Sequence, residues 1–242
     1  MATRVITLAG AHNVRDLGGL PTRDGGTTAF GRLIRAEFTD LVAGDDLARL
    51  FHEIGLRTVV DLRRRGEARH ESVPWDRHGV RWVNCAFGLG RGAAVATAGA
   101  RFVEVYLGYL DADPDTVVRA VDTLLDPAAH PAMLHCAAGK DRTGVLAALL
   151  LDVAGVEPEA IAEDYAMSAT NLDRVLERLS RQPPYAEMLR DYDLAAHTPD
   201  ANVMREFLRR LHERDGGASG WLRARGVTRQ RLDAFRRSMI AG

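Results

Sequence analysis

The ten residues "HCAAGKDRTG", His135 to Gly144, decide how the rest of the chain is read. The stretch "PAML" (Pro131–Leu134) runs into them and "VLAALLLDVAG" (Val145–Gly155) follows at once. The first reads as a short buried strand, "PAMLHC", and the second, headed by "DRTG", as a strongly apolar helix. A strand, a glycine-bearing loop and a helix in that order present backbone N–H groups to an anion. Five residues separate Cys136 from Arg142, an arc in which successive N–H groups can converge on a tetrahedral anion. Ala137, Ala138 and Gly139 are small, so the backbone can come close. Arg142 then returns to the anion with its planar fork, and Thr143 and Gly144 close the turn.

The side chains fit that geometry. A thiol at the positive end of a helix, among converging N–H groups, belongs to the class of sites whose pKa falls from about 8.5 into the range ~3.5–7.5. A thiolate facing a phosphate cradle is placed to attack a phosphomonoester. Thr143 can donate its hydroxyl to the departing sulfur, and His135 can orient the loop through the cysteine's backbone. Lys140 reads as a mobile positive charge at the rim, suited to a substrate with more than one phosphate. Asp141 can protonate the leaving oxygen and then activate water. Arg142 and the backbone supply the electrostatics, so the expectation is a reaction without metal or other cofactor. The competing reading makes Cys136 a buried filler at a strand end. It leaves Lys140, Asp141 and Arg142 together in a tight turn without a reason.

Composition sets the surroundings. The chain has 242 residues, 46% of them apolar and 27% charged, which suits one sizeable core. A net charge of −1 gives no global pull toward nucleic acid or an acidic membrane. The basic run Arg63–Arg65 reads as a solvated loop face. Two cysteines, Cys85 and Cys136, are too few for a disulfide framework, and their spacing fits no zinc motif. Cys85 reads as a core residue, with capture of an oxidised Cys136 as the alternative. The opening "MATRVITLAGAHNVRDLGG" is too interrupted for a secretory leader, and no window has the length of a membrane span. The expectation is a cytoplasmic protein with no stable membrane insertion; leaderless export would leave no trace in such a sequence.

The organisation expected is one domain, residues 1–242, of the α/β class: a small, mostly parallel central sheet flanked by helices. "LVAGDDLARLFHEIG" (41–55) reads as a capped helix ending at Gly55. "LRTVVDLR" (56–63) and "GVRWVNCAF" (79–87) read as strands, the latter with Val80 and Trp82 alternating against Arg81, Val83 and Cys85. A Gly/Ala-rich loop from 91 leads to helices at "ARFVEVYLGYL" (100–110) and "DPDTVVRAVDTLL" (113–125), the second capped by Asp113 or Asp115. Residues 157–242 read as nearly all helix: "EPEAIAEDYAMS", "NLDRVLERLS", "NVMREFLRRLHE" and "GWLRARGVTRQRLDAFRRSMI".

At "HCAAGKDRTG" the chain resembles the cysteine-dependent protein tyrosine phosphatases, in particular the atypical bacterial group that includes the secreted mycobacterial phosphatase B. "NVRDLGGL", "GRLIRAEFTDL", "VVDLRRRGEA" and "GWLRARGVTRQRLDAF" extend the likeness along most of the chain. The resemblance implies the α/β phosphatase fold and hydrolysis through a phosphocysteine. It implies phosphotyrosine proteins or phosphoinositides as partners, with phosphoserine or phosphothreonine besides. Cys136 matches the nucleophile, Arg142 the phosphate-binding arginine, Asp141 a loop general acid and Lys140 a lysine linked to phosphoinositide activity. Asp61 matches a supporting aspartate that holds Arg142. Asn13, Arg15 and Asp16 read as scaffold or as substrate contacts. The helices from about 160 to 215 resemble a lid over the pocket. Asp76 of "PWD", and Asp111 and Asp113 upstream of the cysteine, stay open as alternative acids. A module that binds phosphorylated ligands without turnover stays open as the alternative function. It would need the arginine and the loop but neither Cys136 nor Asp141.

Overall fold

The sheet is built from β1 (Arg15–Asp16), β2 (Leu33–Ala36), β3 (Thr58–Asp61), β4 (Arg81–Asn84) and β5 (Ala132–His135), in the spatial order β1-β2-β5-β3-β4. The strand β1 runs antiparallel to β2, and the other pairings are parallel. The computed structural model describes residues 3–38, 42–68, 73–88, 99–187, 189–190, 194–195 and 197–241. The strands β2, β3 and β5 are buried throughout, as short apolar runs covered on both faces must be. His135 lies in register with Ala36 on one side and Asp61 on the other. The carboxyl ends of three adjacent strands therefore align, and whatever leaves them emerges on one edge. That edge is where open parallel sheets hold their ligands.

Eleven α-helices are described: α1 (Asp45–Ala48, continuing as a π turn to Glu53), α2 (Arg65–Ala68), α3 (Gly99–Ala112), α4 (Pro114–Leu125), α5 (Asp141–Ala154), α6 (Pro158–Ala166), α7 (Leu172–Ser180), α8 (Pro183–Ala186), α9 (Ala201–Asp215), α10 (Gly217–Arg223) and α11 (Arg229–Met239). The helix α5 is buried at every residue from Thr143 to Ala154. It shares one core cluster with Leu33, Val60 and Leu134 of the sheet and with Trp221 and Phe235 of α10 and α11. The opposite face of the sheet, with Ile34, Val59 and Met133, is covered by Leu50, Trp75 and Val80.

Several local expectations change. The helix foreseen over 41–55 begins at Asp45, with Leu41 outside the described residues. Trp82 is 40% exposed while Cys85 is fully buried, because β4 is an edge strand whose covered side is that of Val83 and Cys85. The last stretch, 220–240, is divided between α10 and α11, since Gly226 takes a positive φ of 89° between them. Arg63 is fully buried and lies 3.5 Å from the Phe38 ring centroid, so the basic run is not one solvated face. Asp113 caps α4 by accepting from Thr116 N at 3.2 Å. Residues 91–98 of the Gly/Ala-rich loop lie outside the described residues.

Candidate active site

The strand β5 ends at His135 and the chain enters the loop at Cys136. Three consecutive loop carbonyls are then held from outside. Ala137 O accepts from Phe38 N at 3.0 Å, Ala138 O from Asn13 Nδ2 at 2.9 Å and Gly139 O from Arg35 Nη2 at 2.8 Å. In a trans peptide the C=O and the next N–H point in opposite directions. Pinning these carbonyls outward therefore turns the N–H groups of Ala138, Gly139 and Lys140 toward the centre of the loop. Gly139 takes φ +67°, and a Cβ there would stand 2.6 Å from Ala36 O. Only glycine fits that turn against the end of β2.

The helix that follows keeps its first turn open. Side chains cap α4, α9 and α11 through Asp113, Asp200 and Thr228, whereas α5 has no side-chain cap. Among the described residues no acceptor meets the N–H groups of Ala137, Ala138, Gly139, Asp141, Arg142 or Thr143. Uncapped N–H groups at a helix start are an anion site. Cys136 is 3% exposed at the floor of this arrangement. The Thr143 hydroxyl is buried without a hydrogen-bond partner among the described residues, free to donate to a group that arrives. Nδ1 of His135 donates to Cys136 O at 3.2 Å, which ties the nucleophile's peptide to the end of β5.

Arg142 is positioned by a residue the sequence reading missed. Its Nη1 donates to Glu67 Oε2 and its Nη2 to Glu67 Oε1, both at 2.9 Å, and Nη1 also reaches Leu62 O at 3.1 Å. A guanidinium has five N–H donors. Those three bonds use its terminal edge and leave the Nε/Nη2 edge for two oxygens of a ligand. Burial alone would push the Glu67 carboxyl up, but Arg142 outweighs it and holds the group below the usual range. Asp61, expected to hold Arg142, instead pairs with Arg63 at 2.8 Å and lies 3.9 Å from His135 Nε2. The reason is local: Asp61 is the last residue of β3 and Arg63 folds back onto it two residues later. Glu67 sits in "VVDLRRRGEA", but a charged residue in a one-turn helix carries no signal of its partner.

Lys140 also differs from its expected role. It is 2% exposed rather than mobile at a rim. Its ammonium donates to His197 O at 2.7 Å and stands 3.5 Å from Asp141 Oδ1 and 5.3 Å from the Phe102 ring centroid. A buried ammonium needs such partners. Asp141 in turn accepts from Tyr106 OH at 2.6 Å, and Tyr106 OH lies 2.6 Å from Tyr165 OH. Burial and then Asp141 push the Tyr106 phenol well up, so it stays a donor to the carboxylate. Two of the other candidate acids are engaged elsewhere and the third is exposed. Asp113 caps α4, Asp111 pairs with Arg214 at 2.9 Å, and Asp76 is exposed in the turn that carries Trp75.

The early motif is scaffold in this arrangement. Asn13 holds Ala138 O, Arg15 Nη1 donates to Asn13 Oδ1 at 2.6 Å, and Asp16 accepts from Gly18 N and Gly31 N, both at 2.7 Å. Above the loop, Val175 and Leu179 of α7 and Tyr185 of α8 pack on Ala137. Tyr185 is 1% exposed and its hydroxyl has no hydrogen-bond partner among the described residues. Cys85 is buried under β4, where burial pushes its thiol up.

Residues 6–241 match the model of a tyrosine phosphatase family. A tyrosine-protein phosphatase of Nostoc commune is 34% identical over 116 residues, 43% of this chain and 37% of that protein. The triple specificity protein phosphatase PtpB of Mycobacterium tuberculosis is 32% identical over 136 residues, 49% of this chain and 47% of that protein. The matched stretches span less than half the length of these two relatives. Among solved structures, the core catalytic domain of the PP-IP phosphatase Siw14 from S. cerevisiae, in complex with citrate, aligns with a TM-score of 0.43 and 16% identity. The alignment covers 78% of this chain and 92% of that one.

Proposed function

This chain belongs to the tyrosine phosphatase family, and from that premise we propose that it hydrolyses phosphomonoesters through a phosphocysteine intermediate. Phosphotyrosine on proteins is the main substrate class, with phosphoinositide headgroups and phosphoserine or phosphothreonine besides. The observation that carries the reading is the outward anchoring of three consecutive loop carbonyls, which leaves N–H groups converging above Cys136. A buried cysteine used as filler has no need of that anchoring. The relative named a triple specificity protein phosphatase supports a range wider than phosphotyrosine.

In this mechanism the phosphate sits on the loop N–H groups and on the free edge of Arg142. The Cys136 sulfur forms a bond to phosphorus as the P–O bond to the leaving group breaks, and Asp141 protonates that oxygen. Water then attacks the phosphocysteine and gives its proton to Asp141. The S–P bond breaks, and the Thr143 hydroxyl donates to the sulfur that leaves. Tyr106 fixes the carboxylate of Asp141 at the mouth of the loop. The helices α7 and α8 roof the cradle in this conformation and act as the lid that a substrate must lift. Lys140 reaches a second phosphate only after it releases His197 O.

The test is phosphate release by wild type and Cys136→Ser from a phosphotyrosine peptide and from a short-chain phosphoinositide, with chelator present. Release by wild type and none by the variant is expected, with the peptide favoured. A folded wild type that releases phosphate from neither substrate overturns the hydrolase reading and favours the binding module.

A further inference from the structure

Two of the three outward anchors of the loop converge on one carboxylate that the mechanism does not use. Asp164, near the end of α6, has a side chain 1% exposed. It pairs with Arg35 Nη1 at 2.7 Å, with Arg15 Nε at 3.0 Å and with Arg4. Its backbone carbonyl also accepts from Arg15 Nη2 at 2.5 Å. The other end of Arg35 holds Gly139 O at 2.8 Å. The other end of Arg15 holds Asn13, which holds Ala138 O. Two of the three pinned loop carbonyls are thus connected to Asp164 through one or two intervening side chains.

Charge explains why the connection matters. Among the described residues Asp164 is the only carboxylate that hydrogen-bonds to these three arginines. Arg15 and Arg35 are almost fully buried side by side. Burial, and next the charge of Arg35, pull the Arg15 guanidinium down to about 10, against the opposing pull of Asp164. Without the carboxylate, two buried guanidiniums repel each other with nothing between them. Any separation moves the carbonyls of Gly139 and Ala138, and with them the N–H groups that line the cradle.

We propose that Asp164 is a positioning residue for the anion cradle, acting on the loop through Arg35 and through Arg15 and Asn13. The proposal rests on reading the loop as a phosphate cradle and adds a charge outside it that sets its shape. Asp164→Asn removes the charge at nearly constant volume, and Asp164→Glu keeps it. Arg35→Gln cuts one arm while leaving Asp164 with Arg4 and Arg15.

The experiment reads the cradle without needing turnover. Vanadate affinity is measured by protection of Cys136 from alkylation. Labelling of Cys136 by anionic iodoacetate is compared with labelling by neutral iodoacetamide at one fixed pH. The expected result for folded Asp164→Asn is a roughly tenfold weaker vanadate affinity and a roughly tenfold lower iodoacetate-to-iodoacetamide ratio, with partial recovery in Asp164→Glu. Arg35→Gln shows the same direction. The double variant Asp164→Asn/Arg35→Gln loses less than the product of the single losses, because one residue acts through the other. Wild-type affinity and ratio in folded Asp164→Asn, or a multiplicative double variant, overturn the proposal. If Asp164→Asn does not fold, Arg35→Gln decides, and unchanged readouts there overturn it. A wild type that prefers iodoacetate and binds vanadate yet releases no phosphate defeats the hydrolase reading alone. A wild type with neither property defeats the cradle and this proposal together.

Discussion

Arg142 belongs to the loop from Cys136 to Gly144 and Arg35 lies against it from β2, and each is paired to a carboxylate. They differ in what remains of the guanidinium once the protein has used it. Glu67 and Leu62 O take the terminal edge of Arg142 and leave the Nε/Nη2 edge open, and the side chain keeps 15% exposure. Arg35 is 1% exposed and turned entirely inward, onto Asp164, Gly139 O and Ser168. One arginine is held so that it can meet a ligand. The other is held so that the backbone can. The same residue type on two sides of one loop therefore serves substrate on the inside and geometry on the outside.

Substitutions can break that contrast by showing which cluster governs stability and which governs turnover. The largest effect falls on the outer cluster. Asp164→Asn leaves buried guanidiniums uncompensated and should cost about 3–5 kcal/mol of stability, read as a shift in the urea midpoint. Its pH dependence follows from sign. Burial would raise the Asp164 carboxyl, but Arg15, Arg35 and Arg4 outweigh it and hold the group well below the usual carboxylate range. A carboxyl depressed in the folded state contributes fully above its unfolded value of about 3.9, and that contribution is lost as pH falls through the folded value. Wild type should therefore lose stability steeply below about pH 4, and Asp164→Asn less steeply. A variant that unfolds with the wild-type acid profile breaks the assignment.

The inner cluster gives the next effect, on rate rather than stability. Arg142→Lys keeps the charge and loses the fork, so kcat/KM on p-nitrophenyl phosphate should fall about 10²–10³-fold while the urea midpoint stays close to wild type. Glu67→Gln should fall about tenfold, since Arg142 loses its charge-assisted pair. Equal loss of stability in Arg142→Lys and Asp164→Asn would erase the distinction between the two clusters. The smallest effect is that of Tyr106→Phe, which frees the Asp141 carboxylate. Turnover of a phenyl phosphate with a poor leaving group should drop by several-fold, about one order at most, and that of p-nitrophenyl phosphate hardly at all. A uniform drop on both would detach Tyr106 from proton transfer.

The loop itself was legible in the sequence because its chemistry is local. Cys136, Gly139, Arg142 and Thr143 lie within eight residues, and their spacing between a short strand and an apolar helix states a turn that fits an anion. The helix α5 was legible for the same reason, since an apolar run from Val145 to Ala154 has few other uses. The helices of the C-terminal part were readable from their amphipathic spacing. Which face of β4 is covered was not legible, because alternation says which residues share a face and not which face is covered. Lys140 was misread because its burial depends on His197, far along the chain.

The partners of the loop were beyond local reading. Asp61 and Glu67 are both carboxylates in one short stretch that begins at the end of β3, and nothing in their types says which meets Arg142. That choice falls out of the chain's path: Arg63 turns back to Asp61, and α2 carries Glu67 forward to the loop. Asp164 is separated from Arg35 by 129 residues and from Arg15 by 149. Sequence by itself determined the chemistry of the nucleophile and its arginine, because bonded neighbours stay neighbours in any fold. Only the tertiary structure decided what holds them, because a buried charge is satisfied by whichever opposite charge the packing of strands and helices brings within reach.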